Sequence, residues 1–360
     1  MVCRDYMLGY HSAMPESSPV QSFASFTALR AAAPELADAS FAGDFFYSFD
    51  WFENLAESGF DPQARLELLL AGDCCLPLID GSELHGLSNY YSALYGPLAG
   101  RAPSPAACAA IARHLHADPR RWPIIRLQPL DAGHVFCERF GAALAAAGYR
   151  VERFFCFGNW TLDVAGRSFE QYFAGLPARL QNTIRRARKK LDKAGRWQFV
   201  LHSAADHTLE SGIADFEANY AASWKGAETF PRFIPQFCRL AARRGWLRLG
   251  LLRLDGVAIA AQLWLVCNGK ASIFKLAYRQ GYEHLSPGSV LSAEMMRQTI
   301  DVDGVGEVDY LSGDDAYKRD WMSRRRERIG LVAFRLDTLR GLAAAGKHVL
   351  GKLLRRKVIP

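Results

Sequence analysis

Residues 270–321 read KASIFKLAYRQGYEHLSPGSVLSAEMMRQTIDVDGVGEVDYLSGDDAYKRDW, and this stretch decides the fold. Lys270–Tyr278 predicts a strand, His284-Leu285-Ser286-Pro287-Gly288-Ser289 a loop, Ser289–Thr299 a helix and Glu307–Leu311 a short strand. The loop feeds a helix N-terminus. Gly288 permits close backbone approach there, and the unpaired N–H groups of the first turn favour an anion such as a pyrophosphate. An ordinary helix cap after a proline turn is the plainer reading. Beyond the last strand, a Gly313-Asp314-Asp315 turn leads into Tyr317-Lys318. A lysine beside a reacting carbonyl can stabilise developing negative charge, and Asp309, Asp314 and Asp315 can accept or orient an amine proton. Read blandly, Asp314 and Asp315 cap a helix and Lys318 is solvated.

Upstream lie the predicted strands Leu247–Leu254 and Ala258–Cys267. Asp255-Gly256 and Asn268-Gly269 divide this meander, and such dipeptides are hairpin turn signals. Two helices precede it, Asp206–Lys225 and Pro231–Arg244. Trp224 and the Lys225/Glu228 pair are either core and surface contacts or the wall of an acceptor pocket. Over 168–194, Leu180, Ile184, Ala187 and Leu191 fall on one helical face, with basic residues on the others and Gly195 as the stop. The first half predicts strands at Leu66–Leu70, Cys74–Ile79, Ile124–Leu127 and Arg153–Leu162. Helices alternate with them at Phe49–Ala56, Pro105–Leu115 and Ala132–Ala147, the last with Asp131 as N-cap and Gly148 at its end. The expected class is therefore mixed α/β with a largely antiparallel sheet. It divides into a loose leader (1–22), a first half (23–166), a second half (167–335) and a basic tail (336–360).

The chain has 360 residues, half of them hydrophobic and 22% charged, which suits a globular protein with a sizeable core. No apolar run is long enough to span a bilayer and the leader has no apolar h-region, so neither a membrane span nor a signal peptide is expected. Eight scattered cysteines without a CxxC pair suit reduced thiols in a cytoplasmic protein. The net charge of +7 hides segregation: residues 179–196 carry +7 and 318–360 carry +10, leaving −10 on the remainder. Two basic segments on an acidic body point to a polyanionic ligand or surface, and nucleic acid is not the expected partner. The tail alternates Lys347, Lys352, Arg355, Arg356 and Lys357 with Val349, Leu350, Leu353 and Leu354, a pattern that fits either a solvated helix or peripheral contact with an anionic membrane face.

Several other chemistries are set aside. Ser272-Ile273-Phe274-Lys275 matches SxxK but lies in a strand. His114 and His116 lack further residues at metal-ligand spacing, so no metal is expected. Gly304 and Gly306 follow a helix and precede a strand, the reverse of a dinucleotide fingerprint.

Taken in order, Ser223-Trp224-Lys225, Gly245–Gly250, Leu254–Gln262, Lys275-Leu276-Ala277-Tyr278, Ser286-Pro287-Gly288 and Asp309–Trp321 resemble the CelD-type acetyltransferases of the GNAT superfamily. These are associated with cellulose and polysaccharide biosynthesis and related to FemX-like aminoacyl transferases. The resemblance covers about residues 170–325, with the first half matching loosely as a degenerate GNAT-like domain. Arg279 stands where the family commonly has Asp. The resemblance implies tandem GNAT-like domains and transfer of an acyl group from acetyl-CoA or another acyl-CoA to an amine acceptor, small or glycan-borne. It implies that Ser286, Pro287, Gly288 and Ser289, with Lys275 and Tyr278, bind the donor. Lys318, Tyr317, Asp314 and Asp315 would be catalytic, and Trp224, Lys225, Glu228, Gln262 and Asp309 would meet the acceptor. An amine of pKa ~10.4 costs ~4–5 kcal/mol to deprotonate at pH 7, which a carboxylate or a desolvating pocket can partly supply. Two alternatives stay open: aminoacyl transfer from charged tRNA, and a non-catalytic accessory role in polysaccharide synthesis.

Overall fold

The computed structural model describes residues 19–39, 43–99 and 102–356. Its strands are β1 (Gln21–Phe23), β2 (Arg65–Ala71), β3 (Cys74–Asp80), β4 (Leu84–Gly86), β5 (Ile124–Asp131), β6 (Tyr149–Asp163), β7 (Trp197–His202), β8 (Leu247–Leu254), β9 (Val257–Cys267), β10 (Lys270–Tyr278), β11 (Glu307–Asp309) and β12 (Arg324–Arg335). All twelve join one sheet in the order β1-β2-β3-β4-β5-β12-β6-β11-β10-β9-β8-β7. Among the described residues only β4/β5 and β10/β11 pair in parallel. The mixed, largely antiparallel α/β class is thus the one expected.

The helices are α1 (Phe26–Ala32), α2 (Pro34–Ala39), α3 (Phe49–Ser58), α4 (Pro105–Ala117), α5 (Val135–Ala146), α6 (Phe169–Ala174), α7 (Ala178–Ala194), α8 (Leu209–Ala221), α9 (Phe233–Arg243), α10 (Pro287–Arg297), α11 (Ala316–Trp321) and α12 (Leu339–Arg356). β9 shows how they cover the sheet. Its residues are buried on both faces: Leu263 and Leu265 join a cluster with α3, α8 and α9, while Trp264 joins α7 and α10 on the other side. The first cluster crosses the two halves of the chain, with Trp51 of α3 edge-on to Phe237 of α9 and Phe274 of β10, at 5.2 and 5.9 Å between ring centroids. Both hairpin dipeptides behave as read. Asp255 and Gly256 have φ +49° and +83°, Asn268 and Gly269 +47° and +70°, the left-handed pair that a tight two-residue turn needs. The α7 stripe is buried at Ile184, Ala187 and Leu191.

Some boundaries move. Arg324–Arg335, not read as a strand, is the long β12 that pairs along its length with β6 and over Arg328–Phe334 with β5. Its charged start, Arg324-Arg325-Arg326-Glu327-Arg328, masks the alternation that would mark it. Residues 1–18 of the expected leader lie outside the described residues, and Gln21 and Ser22 pair with β2. The helix read as running to Lys225 stops at Ala221, leaving Ser223-Trp224-Lys225 in the following turn. The side chain that caps α5 is His134, while Asp131 accepts from the Gly133 N–H. β11 ends at Asp309 because Leu311 adopts a left-handed φ of +55° and donates its N–H to the Asp309 carboxylate at 2.7 Å.

Candidate active site

β10 and β11 pair only over Lys270–Ser272 and Glu307–Asp309. Beyond that point the register of β10 against β9 skips Phe274, a bulge, while Leu311 and Gly313 (φ +100°) turn the other chain away. A cavity of about 200 Å³ opens in the splay, walled by Phe274, Lys275 and Leu276 on one side and by Tyr310, Leu311 and Ser312 on the other. Tyr90 and Tyr91 from the first half, Lys225, and Asp315, Tyr317 and Lys318 of the Gly-Asp-Asp segment complete it.

Lys318 is 5% exposed. Its Nζ donates to the carbonyls of Ser312 (2.5 Å) and Gly313 (3.3 Å) and pairs with Asp315 Oδ2 at 3.3 Å. Burial pulls its pKa down and the Asp315 charge opposes that shift. Tyr317 stands edge-on to Tyr310 at 5.7 Å, and burial pushes its hydroxyl up to about 12. Lys275 donates to Glu228 Oε1 at 2.5 Å and to the Tyr220 hydroxyl at 3.2 Å, and lies over the rings of Tyr91 and Tyr220. Glu228 also receives the hydroxyls of Tyr91 (2.8 Å) and Tyr90 (3.2 Å). Burial disfavours its charge, but the Lys275 hydrogen bond and charge prevail and hold its carboxyl below the usual range. Glu228 is therefore a committed counter-ion. Asp315, with its side chain 60% exposed, leaves an accessible carboxylate in the cavity lining.

Lys225 sits on the rim, donating to the Leu276 carbonyl at 2.8 Å beside the Trp224 ring. Desolvation of its ammonium, aided by the nearby Lys275 charge, lowers its pKa to about 8. A depressed lysine is charged below that value and neutral above it. Affinity for an anionic ligand in this cavity is thus expected to fall as pH rises from 7 to 9, and Lys225→Met should flatten the step in a titration series.

The Ser-Pro-Gly loop lies along the same line. Ser286 has φ +49° and does not cap α10 with its side chain. A methyl group at Gly288 would stand 3.4 Å from the Tyr278 ring, which packs on Trp224 at 4.6 Å. Lys190 of α7 donates to the His284 carbonyl at 2.8 Å, so the basic helix brings a cation to this loop. Loop, Tyr278, Trp224 and Lys225 form a path of contacts that ends at the cavity.

Three predicted residues lie off that path. Gln262 is buried, donating to Ser292 Oγ and the Gly288 carbonyl and accepting from Trp264, so it braces α10. Asp309 is buried between Asn159 (2.7 Å), the Leu311 N–H and Arg326 (2.5 Å). Asp314 faces Trp160 (2.7 Å) and Arg325 (2.6 Å) on the other side of its turn. Conversely, Tyr90, Tyr91, Tyr220, Tyr310 and Ser312 were not anticipated. The Tyr90-Tyr91 doublet lies more than 130 residues from its partner Glu228, and no spacing rule reaches that far. Among the described residues there is no group of three or more His, Cys, Asp or Glu suited to a metal, and no helix long and apolar enough to cross a membrane.

Comparison with known proteins adds three findings. Residues 178–319 match the family model described as an acetyltransferase (GNAT) domain. Comparison with curated protein sequences gives no match. In fold, the chain is similar to FemX (TM-score 0.57, 11% identity, covering 83% of this chain and 95% of that one). It is also similar to the C-terminal domain of an Agrobacterium fabrum protein assigned as a lysylphosphatidylglycerol synthetase (0.54, 14%, 89% and 97%). A third similar structure is L-PGS from Bacillus licheniformis (0.50, 12%, 84% and 95%). The splayed strands, the loop before α10 and the family match over residues 178–319 agree with one another, and the chain carries a GNAT-superfamily acetyltransferase domain and is an acyltransferase.

Proposed function

We propose that the protein is an N-acyltransferase that moves an acetyl or other acyl group from acyl-CoA to an amine in polysaccharide or cell-envelope glycan metabolism. The carrying observation is the buried Lys318 ammonium beside the β10/β11 splay, 3.3 Å from an accessible Asp315. In this reading Ser286, Pro287, Gly288 and Ser289 receive the donor's pyrophosphate at the start of α10, with Lys190 and Tyr278 beside it. Lys318, or the backbone freed at the Phe274 bulge, stabilises the oxyanion that develops on the thioester carbonyl. Asp315 takes the proton as the amine attacks; the C–N bond forms, the C–S bond breaks and the thiolate leaves. Tyr317 and Tyr310 wall the reacting centre, and Trp224, Lys225, Glu228 and Lys275 shape its rim. Gln262 and Asp309 act through the elements they brace, and Asp314 through its turn. Residues 23–166 serve as the degenerate GNAT-like half, supplying Tyr90 and Tyr91.

Calorimetric titration with acetyl-CoA tests the donor. Micromolar binding is expected, with loss in Gly288→Glu, which sets a carboxylate at the anion end of α10. Absence of binding to both proteins overturns the acyl-CoA donor. Aminoacyl transfer from charged tRNA is the second reading, favoured by the fold similarity to FemX and by the basic faces of α7; retention of aminoacyl-tRNA on a filter would then replace acetyl-CoA binding.

The tail supports a peripheral, cytoplasmic-face location. α12 packs Gly341 and Ala345 inward yet leaves Leu339 (90%), Leu342 (55%) and Leu350 (58%) exposed along one side, with Arg340 and Lys347 beside them. Sedimentation with phosphatidylglycerol vesicles is expected, with little on phosphatidylcholine, and Leu342→Glu/Leu350→Glu should abolish it. Equal recovery on both lipids, or none on either, removes the membrane assignment.

A further inference from the structure

A second cavity, of about 490 Å³, shares Tyr90 and Ser312 with the catalytic cavity. Its other walls include Gln128 of β5 and Phe154, Phe155 and Phe157 of β6, and none of its lining side chains is charged. Phe155 and Tyr90 are each 55% exposed there. Exposing two large rings in the lining of one cavity costs hydrophobic free energy in water, so such a pair marks a contact surface. Its inner end is chemically defined, because the Ser312 carbonyl accepts Lys318 Nζ at 2.5 Å. A molecule lying along the Phe wall would therefore present its end to the charged donor and to Asp315.

The polar groups narrow the occupant. Among the described residues the Gln128 amide nitrogen and the Ser312 hydroxyl make no hydrogen bond, whereas the Ser88 hydroxyl donates to the Gln128 carbonyl and the Asn89 side chain donates to the Gly59 carbonyl and accepts from the Tyr91 N–H. Aromatic faces take up the apolar C–H side of a ring, and an uncommitted amide and hydroxyl suit neutral hydroxyl groups around its edge. A polyamine or a nucleotide would require opposite charges that this groove does not carry. We propose that the groove seats the ring of an amino sugar, neutral apart from the amine that is acylated. This assignment rests on the acyl-transfer reading above.

The test uses the full chain, acetyl-CoA and three amines: the β-1,4-linked glucosamine dimer, octylamine and spermidine. The glucosamine dimer is expected to be the best acceptor. Phe155→Ala should raise its KM about 10-fold, the equivalent of one lost aromatic contact at 1.4 kcal/mol per decade, with kcat within two-fold. Gln128→Ala should act in the same direction, and neither variant should alter acetyl-CoA affinity. An unchanged KM in both variants overturns the groove, and a preference for octylamine or spermidine overturns the sugar. Direct calorimetric binding of the dimer to wild type and Phe155→Ala, without donor, separates the two claims. Binding that Phe155→Ala weakens supports the groove even if acetyl-CoA fails to bind, and binding that it leaves intact removes the groove even if acetyl-CoA turns over.

Discussion

Replacing Lys318 with alanine is expected to lower kcat by about 10²–10³-fold, the usual cost of removing one charged donor from a developing oxyanion. Acetyl-CoA affinity should change little, because the proposed pyrophosphate site is at the start of α10, away from Lys318. The split between kcat and KM matters, since Lys318 also ties its own turn together through the Ser312 and Gly313 carbonyls. A purely structural lysine would, on removal, loosen the wall of the cavity and raise KM together with the unfolding rate. Lys318→Arg offers the control. It keeps a cation for those carbonyls but places the charge on a wider, longer fork, so it should restore thermal stability to near wild type while leaving kcat low. Retention of full activity by Lys318→Ala in steady-state assays would remove the catalytic role assigned to this residue.

Asp309→Ala is expected to cost about 3–5 kcal/mol of unfolding free energy in urea titration, the range for deleting one member of a buried charged network. The carboxylate accepts from Asn159, the Leu311 N–H and Arg326, with Lys270 3.9 Å away. Lys270 also pairs with Asp44 and Arg326 with Glu307, so their charges are only partly compensated once Asp309 is gone. The same network sets a pH dependence. Burial disfavours the Asp309 charge, but Lys270, Arg326 and Arg328 outweigh it and hold the carboxyl below its usual value. A carboxyl whose folded pKa lies below the unfolded one contributes stability above the unfolded value, and that contribution is lost as pH falls through the folded one. Wild type should therefore lose stability on acidification below about pH 4 more steeply than Asp309→Ala. Identical slopes for the two proteins would mean that Asp309 is not ionised in the folded state.

The loss in that variant should extend to activity, because Asp309 receives the Leu311 N–H exactly where β11 leaves β10, and so holds the splay that makes the cavity. Substrate contact was expected of this residue; a positioning role is what its burial supports.

Local chemistry made much of this legible. The Asp255-Gly256 and Asn268-Gly269 turns need left-handed backbone that those residue types tolerate, so the β8-β9-β10 meander could be read directly. The α7 stripe, the Pro-Gly start of α10 and the Tyr317-Lys318 pair are likewise sequence-near features whose spacing carries their geometry. What the chain order could not give is which distant segments meet. β12 closes the sheet between β5 and β6 despite an arginine-rich start, because its later residues Leu331–Phe334 are buried while its arginines find Asp131, Asp163, Asp309 and Asp314. That pairing, with the aromatic contacts of Trp51 on α9 and β10, brings Tyr90 and Tyr91 over Lys275. Asp314 and Asp315, adjacent in sequence, point to opposite partners for the same reason: one turn offers each carboxylate a different cation, Arg325 outside and Lys318 within. Sequence alone indicated most of the elements and the residue types available for acyl transfer; only the tertiary structure showed that Asp314 is taken up by Arg325 and Trp160 while Asp315 opens on the cavity, because that turn is set against β6, from the other half of the chain.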